Sequence, residues 1–157
     1  MPPTDTPSRL LILRHAPLAR PGLAGRRDVD ADCSDRAALD WAARALRGAG
    51  AVWASPALRC RQTCAALGIS PEYHPALWEQ AFGQWEEPGT VIPDLGPLPV
   101  AELAAHRPPG GESFLDMAAR VRPELATAQS MAWSRVQRLA CIPVSTTSRM
   151  ARKRWAW

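Results

Sequence analysis

No stretch of this sequence approaches the ~20 consecutive apolar residues a bilayer-spanning helix needs, which excludes a helical membrane protein. Residues 1–9 are polar and proline-rich, with no apolar segment of the kind a secretory signal requires. Cysteine is sparse: Cys33, Cys60, Cys64 and Cys141. Without an export signal, four cysteines are expected to be reduced thiols in the cytoplasm. Cys60 and Cys64 lie four residues apart on one helix face, with no further ligands at metal spacing, so they read as small core residues and no metal is expected. Internal repeats, coiled-coil heptads and low-complexity linkers are all lacking. Two absences fall late in the chain. No acid follows Glu124, and no histidine follows His106.

What remains is 157 residues, 46% hydrophobic and 22% charged, enough for one globular domain and little more. The net charge of +4 is unevenly divided. Residues 1–124 carry 13 Arg against 15 Asp and Glu, whereas residues 125–157 carry five Arg and Lys153 with no acid. A clustered basic tail can bind nucleic acid or anionic lipid, since both reward concentrated positive charge. Asymmetry alone names no partner, and the plainer reading is a tail that follows other rules than the rest of the gene. Neither nucleic acid nor membrane is expected as a partner.

Arg9-Leu10-Leu11-Ile12-Leu13 is a short apolar run of the buried parallel-strand type, ending at Arg14-His15. A loop rich in Pro and Gly follows over 16–25. A helix is expected from an N-cap at Ser34 to Gly48, with Ala38, Trp41, Ala42, Ala45 and Leu46 on its inner face. Ala51–Ala54 predicts a second strand, 57–67 a second helix, and Glu72-Tyr73-His74 a third strand. Residues 83–99 read as an irregular insertion. A last helix starts after Gly110-Gly111, with Phe114, Met117, Ala118 and Val121 inward and Pro123 kinking or ending it. Alternating strands and helices imply an α/β fold, a three-layer sandwich with a mostly parallel sheet flanked by helices.

Ligands of open α/β sheets bind beyond the carboxyl ends of the strands. One strand end presents Arg14-His15, and another leads through Ser55-Pro56 to Arg59 and Arg61. Guanidiniums bind phosphate oxygens bidentately, and a neutral imidazole beside them can attack phosphorus. A leaving alkoxide needs a proton, for which Glu79 is the best-placed acid. Arg61 reads as a helix-surface cation, His74 and His106 as surface or loop residues, and Trp41, Trp53 and Trp78 as core or pocket wall.

Four ordered motifs carry a resemblance: Leu11-Ile12-Leu13-Arg14-His15-Ala16, Ala54 to Thr63, Leu77 to Glu86, and Pro108 to Phe114. Over about residues 9–125 the chain resembles the histidine phosphatase superfamily, the phosphoglycerate-mutase-like branch 1. Ala16 and Glu87 stand where that family usually has glycine. The resemblance implies a cofactor-independent phosphomonoesterase for a small phosphorylated metabolite. His15 would be the phosphate-accepting nucleophile, Arg14 and Arg59 the phosphate clamps, and Glu79 the proton donor. Gly25-Arg26-Arg27-Asp28-Val29 and Gly110-Gly111-Glu112-Ser113 are most similar to the α-ribazole phosphatase subgroup of cobalamin synthesis.

The family's second histidine, at the end of a late strand, has no counterpart. Thr146 in Ile142-Pro143-Val144-Ser145-Thr146-Thr147 stands at the nearest position, and Pro143 would remove a ladder donor. A genuine substitution would leave an impaired enzyme or a phospho-ligand-binding relative. A frameshift near residue 125 is the other explanation, and the basic, Trp-rich ending favours it. An Arg149 codon ending in C before the Met150 ATG would spell histidine one frame away. The expectation is therefore a disordered 1–8, an incomplete domain over 9–128 with its last strand disrupted or missing, and an atypical basic tail over 129–157.

Overall fold

The computed structural model describes residues 10–128 in full, and 129–131 and 137–141 through the backbone. Four strands form one parallel sheet: β1 (Leu10–Leu13), β2 (Ala49–Ala54), β3 (Glu72–Tyr73) and β4 (Gln137–Cys141), in the spatial order β1-β4-β2-β3. Helices α1 (Arg36–Ala45), α2 (Leu58–Ala66), α3 (Val100–Ala105) and α4 (Phe114–Met131) complete the described elements, with 3-10 turns at Pro75–Leu77 and Gly83–Glu86. The α/β arrangement with a parallel sheet is the one the alternating pattern implied.

The late strand corrects one expectation. Far from disrupted or missing, β4 lies in the middle of the sheet, pairing Arg138 to Cys141 with Leu10 to Leu13 and Leu139 to Cys141 with Val52 to Ala54. Gln137–Cys141 contains no proline, so every residue can donate to its neighbours, and the ladder is complete before Pro143. Leu10–Leu13 of β1 are accordingly paired along their whole length. Pro143 and Thr146, like residues 1–8, lie outside the described residues.

Smaller differences have local causes. Asp35 caps α1 in place of Ser34, its carboxylate accepting from the Ala38 amide at 3.0 Å. The buried residues of α1 are Leu39 and Ala42, and Trp41 is 59% exposed. Pro123 does not end α4, which runs on to Met131. Packing holds it through that point: Val121 and Ala128 bury against Trp53 and Leu77, with Met117 and Leu125 alongside, whereas Phe114 is exposed. This stripe at helical spacing sets α4 across the Pro75–Leu77 turn. The insertion leads into helix α3, which the proline-rich pattern hid.

A second cluster, Ala54, Ala57, Cys60 and Cys64, fixes α2 directly after β2. Cys141 pairs with Leu13 on one side and Ala54 on the other, so three strands end level. The groups following β1 and β2 consequently emerge at the same edge of the sheet.

Candidate active site

His15 follows β1 and is 7% exposed. Its Nδ1 lies 2.6 Å from the Ala16 carbonyl oxygen, which can only accept, so Nδ1 carries the proton and Nε2 keeps its lone pair. The Ala16 amide donates to Thr63 Oγ1 at 2.9 Å, and that hydroxyl donates to the Arg59 carbonyl at 2.7 Å. One threonine therefore ties the His15 loop to the first turns of α2. Burial lowers the His15 pKa to about 4, the Ala16 hydrogen bond opposes this, and the charges of Arg59 and Arg14 lower it further. The ring is neutral at pH 7.

Arg59 has no exposed surface, so its charge must be met inside the protein. One terminal nitrogen donates to the Gly25 carbonyl at 2.8 Å and to Glu79 Oε2 at 2.7 Å, and the other to the Arg27 carbonyl at 3.2 Å. Its Nε has no partner among the described residues. The helix that carries it lacks a cap of its own, and Asp28 from the loop between β1 and α1 accepts from the Leu58 amide at 2.8 Å. Burial raises the pKa of Glu79, against the opposing pull of Arg59 and Arg14 and with support from the charge of Glu86. Arg14 is exposed, yet its charge acts on both His15 and Glu79. All four expected residues thus form one electrostatic cluster.

Residues that the sequence did not single out hold this cluster. Glu86 accepts backbone N–H groups from Arg26 at 3.1 Å, Arg27 at 2.8 Å and Phe82 at 2.6 Å. Arg120 of α4 donates to the carbonyls of Ala76 at 2.6 Å, Trp78 at 2.9 Å and Glu79 at 3.4 Å, and pairs with Glu112. Glu112 also receives the Ala81 amide at 3.0 Å. The signal for Glu86 and Glu112 lay in their motifs, but side-chain contacts to backbone amides leave no periodic trace. Glu87 adopts φ −66°, so this backbone does not require the glycine usual there.

The other residues take plainer places. Arg61 is half-exposed and 3.9 Å from Asp28, and Cys60 and Cys64 are core. His74 and His106 lie in loops, as expected, and are half-buried by ring contacts: His74 stacks on Trp53 and contacts Glu124 at 3.1 Å, and His106 stacks on Trp85. His15 and Arg14 line a cavity of about 310 Å³ whose wall includes Leu39, Trp41 and Thr63. A larger cleft of about 620 Å³ lies between the 19–30 and 85–92 segments and contains none of the four residues. Arg59 and Glu79 line neither, so cavity size does not mark this site; buried charge does. Among the described residues no group of His, Cys, Asp and Glu converges in a way that could hold a metal ion.

The family description that matches the chain, over residues 10–140, is that of the histidine phosphatase superfamily, branch 1. Solved structures agree on the fold. The protein TTHB049 from Thermus thermophilus superposes with a TM-score of 0.64 at 23% identity, over 85% of this chain and 77% of that one. A protein described as mycobacterial hydrolase 1 gives 0.65 at 22% identity, over 85% and 74%. A mycobacterial glucosyl-3-phosphoglycerate phosphatase gives 0.63 at 24% identity, over 85% and 73%. No curated protein matches.

Proposed function

Because the chain belongs to branch 1 of the histidine phosphatase superfamily, we propose that it hydrolyses a small phosphorylated metabolite through a phosphohistidine at His15. The observation that carries this is the state of His15: buried, neutral, with Nδ1–H committed to Ala16 and Nε2 available beside two guanidiniums. Nε2 attacks phosphorus, and Arg14 and Arg59 neutralise the equatorial oxygens as charge builds there. Glu79, which burial biases toward its acid form, gives its proton to the departing oxygen. As a carboxylate it then takes a proton from the water that cleaves the phosphohistidine. No cofactor or metal enters the scheme.

The substrate class proposed is an α-ribazole-phosphate-like ester of cobalamin synthesis, handled in the cytoplasm. The likeness of Gly25-Arg26-Arg27-Asp28-Val29 and Gly110-Gly111-Glu112-Ser113 to that subgroup supports the narrower reading. A second reading keeps the same site but little turnover, a phospho-ligand binder, and is favoured by the absence of any histidine after His106. Hydrolysis of a generic aryl phosphate separates the two.

Glu79→Gln tests the proton donor. Alkyl phosphates, whose alkoxide leaves poorly, should slow by about 100-fold, and p-nitrophenyl phosphate by less than about tenfold. Equal slowing of both would show that Glu79 shapes the site without donating a proton.

A further inference from the structure

The phosphate clamp and the proton donor reach the site from different parts of the chain, and one carboxylate touches the supports of both. Gly25 and Arg27 offer the carbonyls that receive the Arg59 guanidinium. The amides of Arg26 and Arg27, in the same short segment, end on Glu86. A third amide on Glu86 comes from Phe82, three residues beyond Glu79. The fit is close: Gly25 has φ +50°, and a Cβ there would come within 2.1 Å of Glu86 Oε1. Three convergent N–H groups need a full carboxylate, because a carboxamide turns one of its two ends into a donor facing donors. Arg120 braces the carbonyls of Ala76, Trp78 and Glu79, and Arg26 reaches Glu112 and Trp78 through its side chain, but Glu86 is the group that ties backbone to backbone, Phe82 to Arg26 and Arg27.

We propose that Glu86 is a positioning residue that sets the phosphate clamp Arg59 and the acid Glu79 relative to each other, through the backbone of 25–27 and of 79–82. Its part toward Glu79 rests on the proton-donor reading above; its part toward Arg59 does not. The charge of Glu86 also faces Glu79 together with Arg59 from α2 and Arg14 from the end of β1, and of these only Glu86 favours the protonated form. Small displacements of catalytic groups cost rate and affinity steeply, so the effect should be visible in binding alone.

The test uses Glu86→Gln and Glu86→Asp in the full chain, with inorganic phosphate as probe and carboxyl ¹³C NMR of Glu79 as second readout. Neither needs turnover. In Glu86→Gln, phosphate affinity should fall by about tenfold and the Glu79 titration midpoint should move to lower pH. In Glu86→Asp, which keeps the charge on a shorter stem, the midpoint should stay near its original place while phosphate binding still weakens by about threefold. Unchanged phosphate affinity in both variants, or an unmoved midpoint in Glu86→Gln, overturns the proposal. If Glu86→Gln does not fold, the phosphate affinity of Glu86→Asp decides. Should Glu79→Gln show no leaving-group dependence, the proton-donor reading falls, and the phosphate arm still decides the role of Glu86.

Discussion

Replacing His15 by alanine should lower phosphomonoester hydrolysis by on the order of 10⁴-fold or more, to background, while inorganic phosphate still binds. Neither other histidine offers a substitute nucleophile, since His74 is stacked on Trp53 and His106 on Trp85. Binding survives because Arg59 is held by Gly25, Arg27 and Glu79 and needs nothing from the imidazole. The same variant has a signature in stability. His15 titrates near 6.5 in the unfolded chain and at about 4 in the folded one. Between those values the unfolded state binds a proton that the folded state refuses. Stability is therefore full above pH 6.5 and falls as the pH drops toward 4, by up to about 3 kcal/mol from this group. His15→Ala should flatten that part of the profile, measured by urea unfolding at pH 7.5 and pH 5. Activity that persists in the variant removes His15 as nucleophile, and an unaltered slope shows that another group titrates.

How far the sequence speaks depends on whether a feature is local. Arg14-His15 was legible because a short apolar run must end where a parallel strand ends, and ligands gather there. Arg59 and Glu79 stood in ordered motifs, and the fold places them 2.7 Å apart. The contacts that make the site work were not legible. Asp28 caps α2 across 30 residues, and Glu86 serves amides about 60 residues upstream. Neither leaves a period to read. Spacing put Trp41 on the inner face of α1, and of the two places open to it, core or pocket wall, it takes the wall, while Leu39 fills the core. Pro123 does not end α4, because burial of Val121 and Ala128 on either side holds the helix through it. Pro143 is a local signal against a strand, but the five residues Gln137–Cys141 ahead of it already satisfy both neighbouring strands.

Arg59→Met should abolish detectable phosphate binding and destabilise the protein by about 3–5 kcal/mol, because it strands a buried partner. Glu79 would lose its 2.7 Å ion pair, and the Gly25 and Arg27 carbonyls would lose their donors. The deficit has a definite pH dependence. Burial already raises the Glu79 pKa, and without Arg59 the charge left to oppose it is that of Arg14, so the carboxyl takes up a proton at higher pH than before. A neutral carboxylic acid tolerates burial, and the stability gap to the parent should narrow as the pH falls from 7.5 to 5. Adding Glu79→Leu to Arg59→Met removes the stranded charge and should recover part of the lost stability at pH 7.5, with phosphate binding still absent. Urea unfolding of parent, single and double variants gives all three numbers. A single variant as stable as the parent would mean that the pair is solvated. A double variant no more stable than the single would put the loss in the carbonyls of 25 and 27, making Arg59 a brace for that loop as much as a partner for Glu79. Recovery in the double variant would instead show that Arg59 and Glu79 act as one buried charge pair, whose breaking and not whose absence is costly.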